Sequence, residues 1–141
     1  YARRLARRLR AVKPTVKTLG VEWTPWMQQV ILYYYYPERL AKAKAWVRQL
    51  AEILVACEQF EAYSNQRRGR DYYARNKESL PEAFAYLDKL GQEGILSSEV
   101  LSAVRALTAE GVFDQILEEA RGEPLARSER RYLRNLTGRS I

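Results

Sequence analysis

Apolar residues recur every three or four positions along most of the chain, and no segment alternates between apolar and polar residues for long. This spacing places apolar side chains on one stripe of an α-helix, whereas a half-buried strand requires a period of two. The pattern therefore predicts an all-α protein without strands. At 141 residues, the chain has the size of one domain that can bury a single core.

The predicted layout has three parts. Residues 1–24 form a basic helical N-terminal arm, and residues 25–124 form a compact bundle of about four helices. Residues 125–141 form a basic C-terminal helix or tail. Neither an internal repeat nor a low-complexity linker interrupts this order.

Prolines mark the boundaries of the first two predicted helices. A helix over residues 2–13 carries an apolar stripe, and Pro14 is expected to end it because proline has no amide hydrogen to donate. Thr24 followed by Pro25 predicts an N-cap and the first position of a second helix. That helix should run through the tyrosines up to Pro37.

The longest helix is predicted from Pro37 to about Tyr63. Cys57 is the single cysteine, so no internal disulfide can form, and we expect it to be a small buried hydrophobe. The stripe predicted to face the core contains Leu40, Ala43, Val47, Leu50, Leu54 and Cys57, flanked by Trp46, Ile53 and Phe60.

Capping residues predict the remaining helix boundaries. Ser79 and Glu82 have the spacing of a capping box at a helix start. The other signals are Gly91 or Gly94 as a helix end, Ser97 or Ser98 as an N-cap, and Gly111 and Gly122 as later ends. A final basic helix over residues 125–136 is expected to dock through Leu125, Tyr132, Leu133 and Leu136.

Positive charge is concentrated in three segments. Within a formal net charge of +7, residues 1–20 carry seven bases and no acid, and residues 64–77 and 127–141 carry +4 each. Residues 78–126 carry −7. A segregated basic surface is typical of proteins that bind nucleic acid or another anionic surface. The alternative is an ordinary solvated exterior.

We therefore expect the clustered bases to contact the phosphates of a nucleic acid without reading its sequence. For the arm, acidic protein patches, a membrane surface or the role of an organellar transit peptide are the alternatives. The candidate binding residues are Arg3, Arg4, Arg7, Arg8, Arg10, Lys13 and Lys17 in the arm, Arg67, Arg68, Arg70 and Arg75 in the centre, and Arg127, Arg130, Arg131 and Arg134 in the tail.

Catalysis and membrane spanning are not expected. The chain has no histidine, the commonest general base and metal ligand. A cluster of acids near the fifth and sixth predicted helices has no His or Cys beside it to complete a metal site, so no cofactor or metal is predicted. The cluster indicates a solvated helix face, or a surface where a neighbouring subunit's basic segment docks. The longest apolar run, residues 30–36, is far short of the roughly 20 residues a transmembrane helix needs. The acids are Glu110, Asp114, Glu118 and Glu119.

Aromatic residues are concentrated near the end of the second predicted helix. The run of four tyrosines from Tyr33 to Tyr36, together with Trp23, Trp26 and Trp46, could stack on bases as in single-strand binders. Four successive residues on a helix point in all directions, however, so they cannot all meet bases. An aromatic packing shell, or a contact between subunits, is the preferred interpretation.

The chain resembles the major capsid proteins of filamentous viruses that infect hyperthermophilic archaea. The shared features are a basic helical N-terminal arm, a four-helix body, a similar length, and a composition with three Asn, one Met and one Cys beside many Arg, Tyr and Glu. The resemblance implies a virion coat protein, assembled in the host cytoplasm, whose arms wrap double-stranded DNA held in the A form. Its partners would be copies of itself, in a helical filament, and a related second coat protein.

Two other structural roles remain open. One is an accessory subunit of an organellar ribosome or respiratory complex in the organelle matrix, binding RNA or acidic partner surfaces as a single copy. The other is the small helical subunit of a CRISPR effector, present in a few copies beside a guide RNA. Copy number in the assembly distinguishes the three roles.

Overall fold

A computed structural model describes residues 2–33, 42–64 and 79–138, and within these ranges it contains α-helices and no strand. The all-α class predicted from the apolar spacing is therefore confirmed. The helices are α1 (Ala2–Thr18), α2 (Pro25–Leu32), α3 (Ala45–Ser64), α4 (Leu80–Gln92), α5 (Ser98–Glu110), α6 (Asp114–Arg121) and α7 (Arg127–Arg134), followed by a 3-10 turn at Leu136–Gly138.

The chain divides into two compact units, Tyr1–Val55 and Ala56–Ile141, and the boundary falls within α3. The first unit contains α1, α2 and the first half of α3, and the second contains the rest. Among the described residues, no helix combines the length and apolar character needed to cross a membrane. The division into arm, bundle and tail remains a prediction.

The arm helix α1 continues past Pro14, so the predicted end at that proline was wrong. It terminates at Gly20, whose φ of +77° is a left-handed conformation that glycine adopts without strain. The Gly20 amide donates to the Lys17 carbonyl at 3.0 Å, and the Val21 amide donates to the Val16 carbonyl at 3.2 Å. These two bonds form a Schellman motif, which ends the helix one turn after the proline.

The start of α2 agrees with the prediction. Thr24 has the extended backbone of an N-cap and Pro25 occupies the first turn, although the Thr24 side chain makes no capping bond. Val30, Leu32 and Tyr33 at the other end are buried and belong to the core of the first unit. The predicted continuation to Pro37 lies outside the described residues.

Helix α3 begins at Ala45, later than the predicted start at Pro37. Residues 42–44, which include Ala43, form a turn and bend before the helix, and residues 34–41, which include Leu40, lie outside the description. The predicted core face was also wrong in part. Val47 and Phe60 are buried as expected, but four of the large apolar residues, Trp46, Leu50, Ile53 and Leu54, are each more than 40% exposed, and Cys57 is exposed too.

The face of α3 that is buried uses small residues. Ala51 and Ala56 are fully buried, and Val55 is buried between them. Glu52 is also buried and accepts a 3.0 Å hydrogen bond from Nε of Arg48. A heptad pattern built on the largest side chains misses this face because short side chains, which allow close packing, contribute little to it.

The capping signals of the second unit are confirmed. Ser79 Oγ accepts from the Glu82 amide, and Glu82 Oε2 accepts from the Ser79 amide at 3.1 Å, which completes the capping box. Ser97 caps α5. Of the two glycines predicted to end α4, Gly91 lies within the helix and Gly94, with a φ of +72°, follows it. An added Cβ at Gly91 would lie 2.5 Å from Leu101 Cδ1, so the Leu101 side chain would have to shift.

The C-terminal segment packs into the core of the second unit through the apolar residues predicted to dock. Leu125, Leu133 and Leu136 are buried, and Tyr132 is half-buried. Both α7 and the 3-10 turn contact α5. The apolar residues of the tail therefore belong to the core, although the segment carries five bases and one acid.

We predict that Leu133→Ala lowers the free energy of unfolding by about 3 kcal/mol, because it removes a fully buried side chain and leaves a cavity. Leu107→Ala is the matched control, since Leu107 is 40% exposed, and should cost less than about 1 kcal/mol. Urea denaturation followed by circular dichroism measures both. Equal losses would contradict the docked position of α7.

Candidate nucleic-acid interface

The arm helix presents seven basic side chains to solvent. Every one of these residues is exposed, and none forms a hydrogen bond or ion pair with a side chain of the described residues. The helix contains no acidic residue to compensate them. The seven are Arg3, Arg4, Arg7, Arg8, Arg10, Lys13 and Lys17.

The arm has two faces of different chemistry. At 3.6 residues per turn, Leu9, Val12 and Val16 share one stripe. A basic stripe runs along roughly the opposite side of α1 and extends about 21 Å at 1.5 Å per residue; it consists of Arg3, Arg7, Arg10 and Lys17. The arm is thus an amphipathic helix, with an apolar ridge formed by Leu9, Val12 and Val16 and a longer basic stripe on roughly the opposite side.

The central basic segment lies outside the described residues. The four arginines predicted there as phosphate ligands therefore have no structural account, and their role remains a prediction. They are Arg67, Arg68, Arg70 and Arg75.

Two of the four predicted tail arginines form ion pairs within the second unit. Arg134 pairs with Asp114, and its Nη1 also donates to the Thr108 carbonyl at 3.1 Å. The bond with Asp114 raises the pKa of Arg134. Arg130 pairs with Glu118, which also accepts from the Leu125 amide at 3.0 Å. These two arginines fasten α7 to α6.

The other two tail arginines, Arg127 and Arg131, are exposed and form no ion pair with a described carboxylate. They are four residues apart and so share one face of α7. Arg131 also borders a shallow cleft of about 260 Å³, and the other lining residues are Ser128, Tyr132, Asn135 and Leu136. Guanidinium, hydroxyl and amide donors on one wall are groups that bind phosphate oxygens.

Arg121 was not singled out from the sequence, although it holds the start of α7. Its side chain is only 7% exposed and pairs with Glu129 at 2.7 Å. Glu129 also accepts from the Ala126 amide at 2.9 Å. Burial raises the pKa of the Glu129 carboxyl, but these hydrogen bonds outweigh burial and keep the pKa below its usual value.

The acidic residues of α6 form ion pairs with the tail or a hydrogen bond within α6. Asp114 and Glu118 pair with arginines of α7, and Glu119 accepts from the Gln115 amide at 2.8 Å. In the part of the chain that the structure describes, no group of three His, Cys, Asp or Glu residues is arranged to hold a metal ion.

Of the described aromatic residues in the first unit, Tyr33 lies in the core, and Trp26 and Trp46 contact each other. Tyr33 is 2% exposed, and burial, followed by the charge of Glu52, raises the pKa of its hydroxyl. Trp26 and Trp46 meet edge to face, with ring centroids 5.3 Å apart. A buried Tyr33 cannot stack on a base, which agrees with a packing role. Tyr34 to Tyr36 lie outside the described residues.

We predict that Glu129→Gln destabilises the protein by about 1 kcal/mol at pH 7, because it removes the charge that pairs with Arg121. A carboxyl with a lowered pKa contributes stability above its unfolded value, about 4.3, and loses it as the pH falls further. The difference in stability between the two proteins should therefore shrink as the pH falls below the unfolded value and through the lowered pKa of Glu129. A difference in unfolding free energy between the two proteins that is the same at pH 3 and pH 7 would contradict the ion pair.

Arginines 131 and 134 are expected to differ in their structural role. Arg134→Gln should lower the free energy of unfolding by about 1 kcal/mol, because Asp114 and the Thr108 carbonyl lose a charged donor. Arg131→Gln removes the same charge from the same helix and should change stability by less than about 0.5 kcal/mol. Thermal denaturation of the two variants at matched ionic strength measures both losses of stability. A larger loss for Arg131→Gln than for Arg134→Gln would contradict the structural role given to Arg134.

Comparison with known proteins gives no relative to guide the interpretation of these surfaces. The chain matches no family model, no curated protein and no solved structure. The functional interpretation therefore depends on geometry and charge, and above all on the unpaired basic face of α1.

Proposed function

We propose that this protein is a non-enzymatic coat protein that binds double-stranded DNA through the phosphate backbone, without sequence specificity, and assembles with copies of itself into a helical filament. The observation that carries the proposal is the row of seven exposed bases on α1, none paired with a described carboxylate. Like charges in this arrangement repel one another and require counter-charge from outside the helix.

The dimensions of the arm favour a polymeric anion. Its basic stripe spans about 21 Å, and duplex DNA carries one phosphate per 1.7 Å of axis. The arm therefore faces several phosphates at once, whereas a small anion would engage only one or two of its bases. Binding to several phosphates at once releases several counterions from the DNA. The affinity should therefore fall steeply with salt concentration.

The chemistry of the arm favours the phosphate backbone over the bases. Recognition of a base sequence combines different side chains in register with the groove, such as Asn or Gln for adenine beside Arg or Lys for guanine. The arm instead carries Arg and Lys at every polar position from Arg3 to Lys13. Such a surface binds any sequence equally, as a protein that covers a whole genome must.

The resemblance to capsid proteins of filamentous archaeal viruses supports the choice of duplex DNA in the A form. Charge balance supports many copies. Seven bases neutralise at most seven phosphates, which is about 3.5 base pairs of duplex. A neutral coat would then need one subunit at each such interval, which is typical of a continuous sheath. Arg127 and Arg131 of α7 would add contacts beside the small polar cleft.

A salt titration tests the proposal. We expect the logarithm of the association constant for a random-sequence duplex to fall with the logarithm of salt concentration with a slope of about −6, for seven phosphate contacts. Filter binding at several salt concentrations measures it. A slope near zero, or a strong dependence of affinity on DNA sequence, would contradict phosphate binding by the arm.

A charge-matched pair of variants tests which bases bind. The triple variant Arg3→Gln, Arg7→Gln, Arg10→Gln should reduce the slope to about −4, because each lost contact removes about 0.9. The control is Lys42→Gln, Lys44→Gln, Lys89→Gln, which removes three exposed charges outside the arm and should leave the slope near −6. Equal effects would indicate binding by net charge alone.

A further inference from the structure

The second unit contains an apolar cleft of about 220 Å³. One wall comes from the end of α3, and the other from α5, α6 and the residues between them. Phe60 and Phe113 both line it, with ring centroids 5.7 Å apart. The other lining residues are Ala56, Cys57, Glu61, Val104, Ile116 and Leu117.

The cleft continues into an exposed apolar surface. Ile116 on its wall is 62% exposed, and Val112, just before α6, is 53% exposed. Leu107, one turn after the cleft residue Val104, is 40% exposed. Large apolar side chains that lie together on a surface are a common feature of protein interaction sites.

Carboxylates border this apolar surface. Glu61 is part of the cleft wall, and Glu58 follows Cys57 on α3. Glu110 and Glu119 each lie one turn beyond an exposed apolar residue of α5 or α6. None of the described residues that line the cleft is basic. The occupant that fits is therefore an apolar ridge flanked by positive charge.

The arm α1 has this chemistry. Its apolar ridge contains Val12, which is 45% exposed, and half-buried Leu9 and Val16. Arg8 and Lys13 flank the ridge on either side at helical spacing. Leu19, just after the helix, is 75% exposed. The described residues of the first unit carry ten bases and two acids, and those of the second carry seven bases and twelve acids.

We propose that the apolar ridge of α1 in one copy of this chain docks into the cleft between α3 and α6 in a second copy. Arg8 and Lys13 then face the carboxylates at the rim, and the other five bases of the arm remain for phosphates in the assembled filament. The basic stripe of α1 lies on roughly the opposite side, so it stays open to DNA. The inference deepens the proposed filament, because each copy offers both an arm and a cleft, and head-to-tail contacts of this kind propagate into an open assembly.

The single cysteine lines the cleft and allows a direct test. Val12→Cys places a second thiol on the apolar ridge, and a short bis-maleimide can join it to Cys57 of a neighbour. Ala11→Cys is the matched control, because Ala11 is exposed and lies away from the ridge. The full chain is used without DNA, and crosslinked species are separated on a denaturing gel.

Docking predicts a ladder of dimers and larger species for Val12→Cys, at least about tenfold more abundant than for Ala11→Cys. The ladder should disappear when Cys57→Ser is added. Equal ladders for both variants, or no ladder, would overturn the proposal. A crosslinked monomer whose yield does not fall on dilution would also overturn it, because the arm would then close on its own chain.

A variant of the cleft separates this contact from DNA binding. Ile116→Lys places a positive charge on an exposed position of the wall, where it repels the arm and should reduce Val12→Cys crosslinking about tenfold or more. Salt dependence of binding to a duplex too short for two copies should be unchanged. Loss of the ladder with retained binding supports docking, whereas an unaffected ladder contradicts it. A failure of DNA binding in the unmodified chain would instead reject the coat function.

Discussion

Charge segregation is the constraint on which the organisation of this chain depends. The arm carries seven bases on a seventeen-residue helix without a single acid, so like charges meet at three- and four-residue spacing and weaken the helix. Pro14 removes one of its hydrogen bonds as well. A helix of this length is marginal in isolation, and within the first unit α1 packs against α2.

The tail uses the same residue types for two purposes. Arg130 and Arg134 have carboxylate partners on α6, and their contribution is to hold α7 over the buried leucines. Arg127 and Arg131 have no such partner among the described residues. Net charge by segment cannot distinguish these pairs, because it counts a neutralised arginine and an available one equally. The structure thus leaves two of the four tail arginines, Arg127 and Arg131, without a described carboxylate partner.

Local signals allowed much of the fold to be predicted, whereas the choice of helix face depended on tertiary packing. Helix ends are marked by hydrogen bonds between residues that are close in the sequence, at Ser79 with Glu82, Ser97, Gly111 and Gly122. These ends can therefore be predicted from the local sequence alone. The core face of α3 depends on what packs against it, and its alanines carry little apolar signal. Arg121 was missed for a similar reason, since its partner Glu129 lies on another helix.

The two ridges of α1 would couple assembly to DNA binding. A docked neighbour holds the arm helical, so the ordering cost is already met when phosphates bind the opposite face. By thermodynamic linkage, phosphate binding would favour docking by the same free energy, because the DNA and the neighbouring cleft both bind the helical form of the arm. Neutralising the basic stripe also removes the repulsion between arms that a filament would bring together. Subunits with this property associate weakly without DNA and more strongly along it, which is the behaviour that a coat protein requires.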